Sequence, residues 1–342
     1  MSTVTKVQNG RLNERGSIDT RPTTPRIVLD DEASKALRRE LETAGSPYED
    51  LEGARLAAFR AMAAKLPLNV LRHVVAMRSQ PEVSGALVVQ NLPIDKVLPR
   101  TPADGGTSQE KKTFVSEGVL LGVASALGLP FSFMREKDGV IIHSISPVQG
   151  REEATANDSS LSDFKAHVEC AYFEFRPDFL LLLCLRSDAE GRAATLVADI
   201  RYALRYLSPF DCDMLRQPLF QVQAPASFAK GLGDQPWSEP RPVLTGPDDS
   251  PEVCLNLNGM RAVTPGAEKT LDLLRWLLES PGVVESVVLD VGDLLVVDNR
   301  KSVHGRTPFT ARYDGFDRWL QRVYVKVDPW SGRGDRGNSI VF

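Results

Sequence analysis

The sequence lacks the features that mark membrane, secreted and disulfide-stabilised proteins. Its longest purely apolar run, Phe179 to Leu185, is too short to span a bilayer. The first 26 residues contain no apolar segment of the kind found in secretory signals. Only four cysteines occur among 342 residues, and none has the CxxC spacing typical of zinc knuckles. These absences predict a reduced, cytoplasmic protein without a membrane span.

An excess of charge of one sign is also missing. The chain has 41 basic and 45 acidic residues, a net charge of −4, and the two signs are well mixed along it. A nucleic-acid-binding surface normally shows a basic stripe, so we expect no nucleic-acid partner. Hydrophobic residues make up 42% of the chain, which is enough for a sizeable core. The composition therefore favours a globular enzyme that acts on a small molecule.

The composition and the spacing of apolar residues change along the chain. Residues 1–25 are rich in Ser, Thr, Arg, Asn and Gly, which predicts a flexible tail. Residues 30–130 carry apolar positions at three- and four-residue spacing, which indicates helices. From residue 139 onward, short apolar segments are separated by Gly, Pro, Asp and Asn, as in a β-sandwich or barrel. We predict one mixed α and β domain, residues 26–342, whose helical part packs on a β-rich core of about residues 85–330.

The sequence predicts the bounds of two helices. Residues 108–130 have a long amphipathic pattern that is ended by Gly-Leu-Pro. Residues 265–280 carry a second amphipathic pattern, which interrupts the region of strands. The apolar stripes of both helices are expected to pack against the core.

A candidate metal site begins in the segment DFKAHVECAYFEF, residues 163–175. His167 and Glu169 would point to the same face if this segment is an extended strand. His304 follows a hydrophobic strand and is the candidate third ligand. Two imidazoles and one carboxylate form the facial triad of non-haem Fe(II) oxygenases. The alternative is that these histidines are hydrogen-bonded core or surface residues, as is expected for His73 and His143.

Two arginines follow the third candidate ligand. The segment GFDRWLQRVYVKV places Arg318 and Arg322 on one face of a predicted strand. Buried guanidinium groups are costly unless anions meet them, and arginine binds carboxylates through two parallel hydrogen bonds. A 2-oxo diacid such as 2-oxoglutarate has one end that chelates iron and a distant carboxylate that suits a buried arginine. The alternative is that an arginine pairs with an internal Asp or Glu.

Four segments of the sequence resemble one enzyme family. These segments are HVECAY, CLRSD, GDLLVVDNRKSVHGR and RWLQR. They resemble sequences of the clavaminate synthase-like branch of the Fe(II)/2-oxoglutarate-dependent oxygenases, which belongs to the TauD/TfdA-like superfamily. This branch holds L-arginine and L-asparagine β-hydroxylases and uses His-x-Glu where most relatives use His-x-Asp. The resemblance covers about residues 85–330. It implies a distorted double-stranded β-helix, a jelly-roll or cupin-like core, with helices packed around it.

The resemblance also implies the cofactors and the residues that hold them. It implies Fe(II) bound by His167, Glu169 and His304, with dioxygen as a co-substrate. The family places an arginine that binds 2-oxoglutarate fourteen residues after the distal histidine, which is Arg318 here. Thr195 matches the hydroxyl that supports a carboxylate of 2-oxoglutarate.

The substrate contacts are implied in the same way. Arg322 matches the arginine that holds the substrate α-carboxylate, and Glu136 falls where the family contacts the α-amine. Arginine hydroxylases of this branch present two aspartates to the substrate guanidinium, and Asn256 and Asn258 stand in their place. Two neutral amides cannot neutralise a buried guanidinium, whereas they can exchange hydrogen bonds with a neutral side chain such as that of asparagine, glutamine or citrulline. The alternative is that the two asparagines satisfy one another and the nearby backbone.

The resemblance leads to a specific functional expectation. We expect the enzyme to hydroxylate an unactivated carbon, C3, of a free L-amino acid or close derivative, in the biosynthesis of a specialised metabolite such as an antibiotic. The same cofactor chemistry also serves desaturation or cyclisation, and no residue decides between these outcomes. An aminoacyl substrate tethered to a carrier protein and a non-catalytic role in metabolite binding are the rival hypotheses. The oligomeric state is left open.

Overall fold

The computed structural model of the chain describes most of its residues, in five ranges: 23–43, 45–48, 54–225, 235–332 and 340–341. Most of the predicted tail, residues 1–22, lies outside the described residues. The described residues form a mixed α and β fold whose sheets are antiparallel apart from one strand pair. This agrees with the mixed α and β class that the sequence predicts.

Four helices from the first part of the chain pack together: α1 (Asp31–Leu41), α2 (Ala54–Ala63), α3 (Leu68–Ser79) and α4 (Val115–Leu127). Helix α1 begins after Asp30, whose carboxylate accepts a hydrogen bond from the backbone N–H of Ala33 at 2.8 Å. A side chain that accepts in this way satisfies one of the unpaired donors at a helix start. Helix α4 contacts the other three helices and the main sheet, so it forms the centre of this layer.

Helix α4 begins at Val115, later than the predicted start at residue 108. The carboxylate of Asp95 accepts hydrogen bonds from the backbone N–H groups of Val115 at 3.1 Å and Ser116 at 3.2 Å. Buried Lys111 in turn pairs with Asp95 at 2.7 Å. A cap from a distant segment therefore fixes where the helix starts, and periodicity along the chain cannot reveal it.

The main sheet has eight strands among the described residues. Seven of them follow the spatial order β1 (Arg26–Val28), β2 (Ala86–Gln90), β13 (Leu294–Asp298), β6 (Phe179–Arg186), β15 (Trp319–Lys326), β3 (Leu129–Phe133) and β16 (Ile340–Val341), and the eighth, β4 (His143–Ile145), also pairs with β15. Only β1 and β2 are parallel. Strand β15, which carries Arg322 and begins directly after Arg318, lies near the middle of this sheet.

A second sheet consists of four antiparallel strands. Its order is β12 (Glu285–Val287), β7 (Thr195–Asp199), β14 (Ser302–Arg306) and β5 (Phe164–His167). The described residues also form two small two-stranded sheets, β8 (Phe220–Val222) with β11 (Met260–Ala262) and β9 (Leu244–Thr245) with β10 (Glu252–Val253). Three further helices are α5 (Ile200–Leu204), α6 (Pro209–Leu215) and α7 (Pro265–Leu278), the last of which confirms the helix predicted at 265–280.

The packing explains the continuous apolar run in β6. Leu181 and Leu183 pack into the cluster that the helices share with the main sheet. Leu180 and Leu182 point the other way, into a cluster that also contains residues of the second sheet. Because both faces of β6 are buried, every position of the run is apolar. Among the described residues, no helix is long and apolar enough to cross a membrane.

Candidate metal and substrate site

The predicted metal ligands meet between the two sheets. His167 ends β5 and His304 lies within β14, and the two residues are directly opposite one another in the antiparallel pairing. Glu169 lies two residues beyond β5. One ligand atom from each of the three side chains lies within 4.8 Å of the other two. The fold therefore brings together all three residues that the sequence singles out.

Glu169 does not lie on the same extended strand as His167, and the assumption of such a strand was wrong. Strand β5 ends at His167, and Cys170 adopts a left-handed conformation with φ of 57°. The turn is held by Asn299, whose Oδ1 accepts from the backbone N–H of Glu169 at 2.8 Å and whose Nδ2 donates to its carbonyl at 3.2 Å. A buried amide, not strand alternation, thus aims the carboxylate. The sequence gives no signal for Asn299, because it follows β13, far away along the chain.

The protonation of the cluster suits a divalent metal. Burial, together with the nearby His304, lowers the pKa of His167 to about 4, so its imidazole is neutral. Its Nδ1 lies 2.8 Å from the carbonyl of Lys165, which fixes the hydrogen there and leaves Nε2 as a free lone pair. Burial raises the pKa of Glu169, but the positive charge of Arg322, helped by the adjacent His304 ring, outweighs this effect and holds the pKa well below its usual range.

His304 supplies a test of whether a metal fits. Its Nδ1 is buried without a hydrogen-bond partner in the described part of the chain, and its Nε2 lies 3.7 Å from Glu169 Oε1, beyond a normal hydrogen bond. A buried imidazole normally has a partner on at least one nitrogen, and a metal ion at Nε2 would supply it. Two imidazoles and one carboxylate are a suitable donor set for Fe(II). The residues present therefore fit the ion.

Arg318 is a buried cation that has no carboxylate partner within the described ranges. It lies immediately before β15, is 7% exposed, and its Nη2 is 3.5 Å from Thr195 Oγ1, a long contact. Burial lowers the pKa of Arg318, and the more distant Asp188 only partly offsets this effect. Arg306, whose backbone pairs with Thr195, is also buried and donates to the backbone around Ser159. A bound anion would supply the partner that this positive region lacks among the described residues.

Arg322, in contrast, is already paired. Its Nη1 donates to Glu169 Oε1 at 3.0 Å, and its Nη2 donates to Glu136 Oε1 and to Nδ1 of His143. The interpretation that one arginine pairs with internal acids therefore holds for Arg322 in this state. His143, which was expected to be structural or solvent-facing, is 2% exposed and belongs to the site. Tyr324 also lies here, within 3.3 Å of both carboxylates.

The two asparagines differ in their hydrogen bonding. The amide of Asn258 exchanges hydrogen bonds with the backbone N–H and carbonyl of Lys165, at 3.0 and 3.1 Å. Oδ1 of Asn256 accepts from the backbone N–H of Asn258 at 3.1 Å and from its Nδ2 at 3.0 Å. The backbone donor fixes the orientation of the Asn256 amide, so Nδ2 faces away and has no partner among the described residues. Asn256 also forms an isolated bridge with His167.

The sequence is similar to a known family and to characterised relatives. The family described as taurine catabolism dioxygenase TauD, TfdA matches residues 112–324. The chain is 39% identical over 272 residues to L-asparagine oxygenase from Streptomyces coelicolor, which covers 79% of each chain. It is 30% identical over 305 residues to clavaminate synthase 2 from Streptomyces clavuligerus, which covers 86% of this chain and 91% of the relative.

Two solved structures resemble the fold over almost its whole length. Asparagine oxygenase in complex with Fe(II), 2S,3S-3-hydroxyasparagine and succinate superposes with a TM-score of 0.82 at 36% identity, covering 90% of this chain and 96% of the other. The non-haem iron oxygenase OrfP in complex with Fe and alpha-ketoglutaric acid gives a TM-score of 0.79 at 27% identity, covering 91% and 96%.

Proposed function

The chain belongs to the TauD, TfdA family of dioxygenases, and we propose that it hydroxylates C3 of a free L-amino acid with a neutral polar side chain. It uses Fe(II), 2-oxoglutarate and dioxygen, and its relatives suggest a role in specialised metabolite biosynthesis. The observation that carries the proposal is the cluster of His167, Glu169 and His304, whose ligand atoms lie within 4.8 Å of one another. The buried cation of Arg318 contacts Thr195 on the strand next to that of His304. Relatives named L-asparagine oxygenase and L-ornithine/L-arginine 3-hydroxylase support a free amino acid as the substrate, and only the first of them has a neutral polar one.

In this proposal the cluster holds the iron and the positive region holds the co-substrate. His167 and His304 donate imidazole nitrogens, and Glu169 donates one carboxylate oxygen. When bound, iron with 2-oxoglutarate and dioxygen supplies the oxidising chemistry that replaces a C–H bond by C–OH. The distant carboxylate of 2-oxoglutarate binds Arg318 and accepts from Thr195, which removes the cost of burying an unpaired guanidinium.

The carboxylate and ammonium groups on the substrate α-carbon replace the two partners of an existing ion pair. Arg322 and Glu136 are bound to one another in the substrate-free state. A free amino acid brings one carboxylate and one ammonium group, so Arg322 takes the carboxylate and Glu136 takes the ammonium without a change in net charge. An aminoacyl thioester on a carrier protein has no such carboxylate. The pairing therefore favours a free amino acid over a carrier-tethered one.

The side chain of the substrate is selected by Asn256. Because its Oδ1 is occupied, Asn256 presents only the N–H donors of Nδ2 next to His167. A side chain that meets it needs an acceptor, which the amide of asparagine or glutamine and the ureido group of citrulline possess. Guanidinium and ammonium groups have no acceptor, and they would meet no negative charge from Asn256 or Asn258. This supports a neutral amide side chain as the substrate.

The proposal also covers the architecture around the site. The two antiparallel sheets that share an apolar cluster support a distorted double-stranded β-helix, or jelly roll, as the core. Strand β1 near residue 26 and strand β16 near residue 341 join the same sheet, which supports one domain over residues 26–342. A cytoplasmic location is supported by the four cysteines, all of which are free.

The first test is an aerobic assay with Fe(II), ascorbate and 2-oxoglutarate against a panel of free L-amino acids. The panel contains asparagine, glutamine, citrulline, aspartate and arginine, and products are measured by mass. The expected result is a gain of one oxygen atom on a neutral amino acid, with one succinate formed for each product. A loss of two hydrogens would change the reaction to desaturation or cyclisation. Arginine as the preferred substrate would contradict the role of Asn256.

A further inference from the structure

The hydroxyl of Tyr324 lies between the carboxylate proposed for the substrate and the carboxylate proposed for the metal. Its Oη is 3.1 Å from Glu169 Oε2 and 3.3 Å from Glu136 Oε1. Tyr324 is on β15, two residues after Arg322, so both side chains point to the same side of the sheet. The hydroxyl therefore connects two groups whose proposed roles are separate.

Arg322 bridges the same two carboxylates. Its Nη1 donates to Glu169 Oε1 at 3.0 Å, and its Nη2 donates to Glu136 Oε1. Glu136 thus has two donors on one oxygen, while Glu169 has one donor on each of its oxygens. Because a phenol has a single hydrogen, Tyr324 can donate to only one of the two acids at a time.

The ring of Tyr324 is closely packed by its neighbours among the described residues. It is 2% exposed, and the guanidinium of Arg322 lies over its face with 4.4 Å to the ring centroid. The rings of Phe131 and His143 pack around it, with centroid distances of 6.0 and 5.9 Å. The position of the hydroxyl oxygen is therefore restrained, whereas the direction of its hydrogen can change.

Binding of an amino acid changes which carboxylate accepts the hydroxyl hydrogen of Tyr324. An ammonium group at Glu136 brings new donors to this carboxylate, and a substrate carboxylate draws Arg322 toward itself. Glu136 then no longer needs Tyr324, whereas Glu169 loses part of its contact with Arg322. The hydrogen of Tyr324 goes to Glu169 Oε2, and Oε1, which lies 3.7 Å from His304 Nε2, is left facing the metal site.

We infer that Tyr324 is a positioning residue that couples amino-acid binding at Glu136 to the orientation of the Glu169 carboxylate at the metal site. This inference rests on the proposed function for the roles of the two acids. In the absence of substrate, Glu169 shares its donors with Glu136. In its presence, Tyr324 fixes Glu169 in one orientation, so that a metal held there would have a single ligand arrangement only when an amino acid is in place.

The test replaces Tyr324 by Phe and iron by Co(II), whose visible spectrum reports the arrangement of its ligands without oxygen chemistry. The wild-type protein with Co(II) and 2-oxoglutarate is titrated with L-asparagine, and a spectral change is expected on binding. Tyr324→Phe is expected to start from a different spectrum and to lose the response to L-asparagine. With Fe(II) in air, 2-oxoglutarate consumed without hydroxylated product is expected to rise about tenfold, the effect of one hydrogen bond to a charged group.

Tyr48→Phe is the matched control. Its hydroxyl donates to Glu117 Oε1 at 3.1 Å, so the substitution removes a bond of the same kind and length at a carboxylate away from the site. The control is expected to keep the wild-type Co(II) spectrum, the response to L-asparagine and the ratio of product to succinate. A change in all three for Tyr48→Phe would show that the readouts report general stability, and would overturn the inference.

The outcomes for the two hypotheses are separable. If Tyr324→Phe retains the wild-type spectrum and coupling, Tyr324 does not position Glu169 and the inference is wrong, although the enzyme still hydroxylates asparagine. If Tyr324→Phe only lowers the unfolding temperature with unchanged coupling, its role is structural and the inference is also wrong. If wild type and Tyr48→Phe consume no 2-oxoglutarate with any amino acid, the proposed function fails. The Co(II) spectra without substrate then still decide, because an unchanged spectrum in Tyr324→Phe overturns the positioning role and a changed one supports it.

Discussion

Asn256 lies directly opposite His167 in an antiparallel bridge, with the oxygen of its amide occupied and the nitrogen unpaired among the residues that the structure describes. The backbone N–H of Asn258 determines this orientation, since a backbone N–H can only donate. The chain thus presents a hydrogen-bond donor, not an acceptor, beside a proposed metal ligand. The identity of one residue decides the polarity of this contact, and a single substitution can reverse it.

Asn256→Asp is expected to change the preferred substrate. The carboxylate would accept the same two hydrogen bonds from Asn258 and would present its second oxygen as a charged acceptor. We expect the ratio of kcat/KM for arginine to that for aspartate to rise by roughly tenfold or more, since a hydrogen bond to a charged group is worth about 1.5–3 kcal/mol. Competition assays with products read by mass measure the ratio. Asn258→Ala is the control, because it removes the amide that contacts Lys165 and Asn256 without adding a charge, and an equal rise there would contradict the assignment.

Arg318→Met is expected to weaken 2-oxoglutarate binding and to stabilise the free protein. Loss of the anion's partner should raise the KM for 2-oxoglutarate by roughly a hundredfold, since breaking a buried ion pair costs about 3 kcal/mol. The protein without 2-oxoglutarate should unfold at a higher temperature, because an unpaired buried cation is removed and its lowered pKa shows that burial opposes the charge. Steady-state kinetics and thermal unfolding measure the two effects. Arg186→Met removes an arginine that donates to Thr101 and nearby carbonyls, and it should change neither the KM nor the unfolding temperature in this way.

Glu169→Gln and Glu136→Gln form a matched pair. Both acids accept from Arg322, but only Glu169 lies within 4.8 Å of the two histidines. Glu169→Gln should lose metal binding in a Co(II) titration and should also lose all turnover. A neutral amide is a poor metal ligand, so only the two imidazoles of His167 and His304 would remain as ligands. Glu136→Gln should keep its metal affinity and raise the KM for the amino acid. Equal metal affinity in both variants would remove Glu169 from the ligand set.

The sequence predicts the residues of the site better than it predicts why they meet. His167 and His304 can be predicted because a short motif and a strand end mark them, and their direct pairing follows from two neighbouring strands. Glu169 is predicted on the assumption of an extended strand, whereas a turn held by Asn299 aims it. Tyr324 cannot be predicted, because a tyrosine in an apolar strand is an ordinary core residue in sequence. Its hydroxyl acquires a role only through the fold, which brings two distant acids within 3.3 Å of it.

Local backbone contacts limit which substitutions the proposed metal site tolerates, and Gly305 is the clearest case. It lies between His304 and Arg306 where the pairing of β14 with β5 shifts register. A Cβ atom at this position would lie 2.5 Å from the carbonyl oxygen of Phe164, a backbone atom of the strand that carries His167. Strand β5 would have to move, and the two histidines would separate.

Gly305→Ala is therefore expected to lower the free energy of unfolding by about 1–3 kcal/mol, the usual cost of an overpacked site, and to weaken Co(II) binding as well. Denaturant unfolding and metal titration measure the two effects. Gly266→Ala in the first turn of α7 is the control, because its Cβ meets only Met214 Cε at 4.0 Å and alanine favours a helix. The control should leave metal binding unchanged and stability equal or higher. If Gly305→Ala behaves like the control, β5 and β14 are not held as closely as the site geometry requires, and the pairing of His167 with His304 does not depend on that glycine.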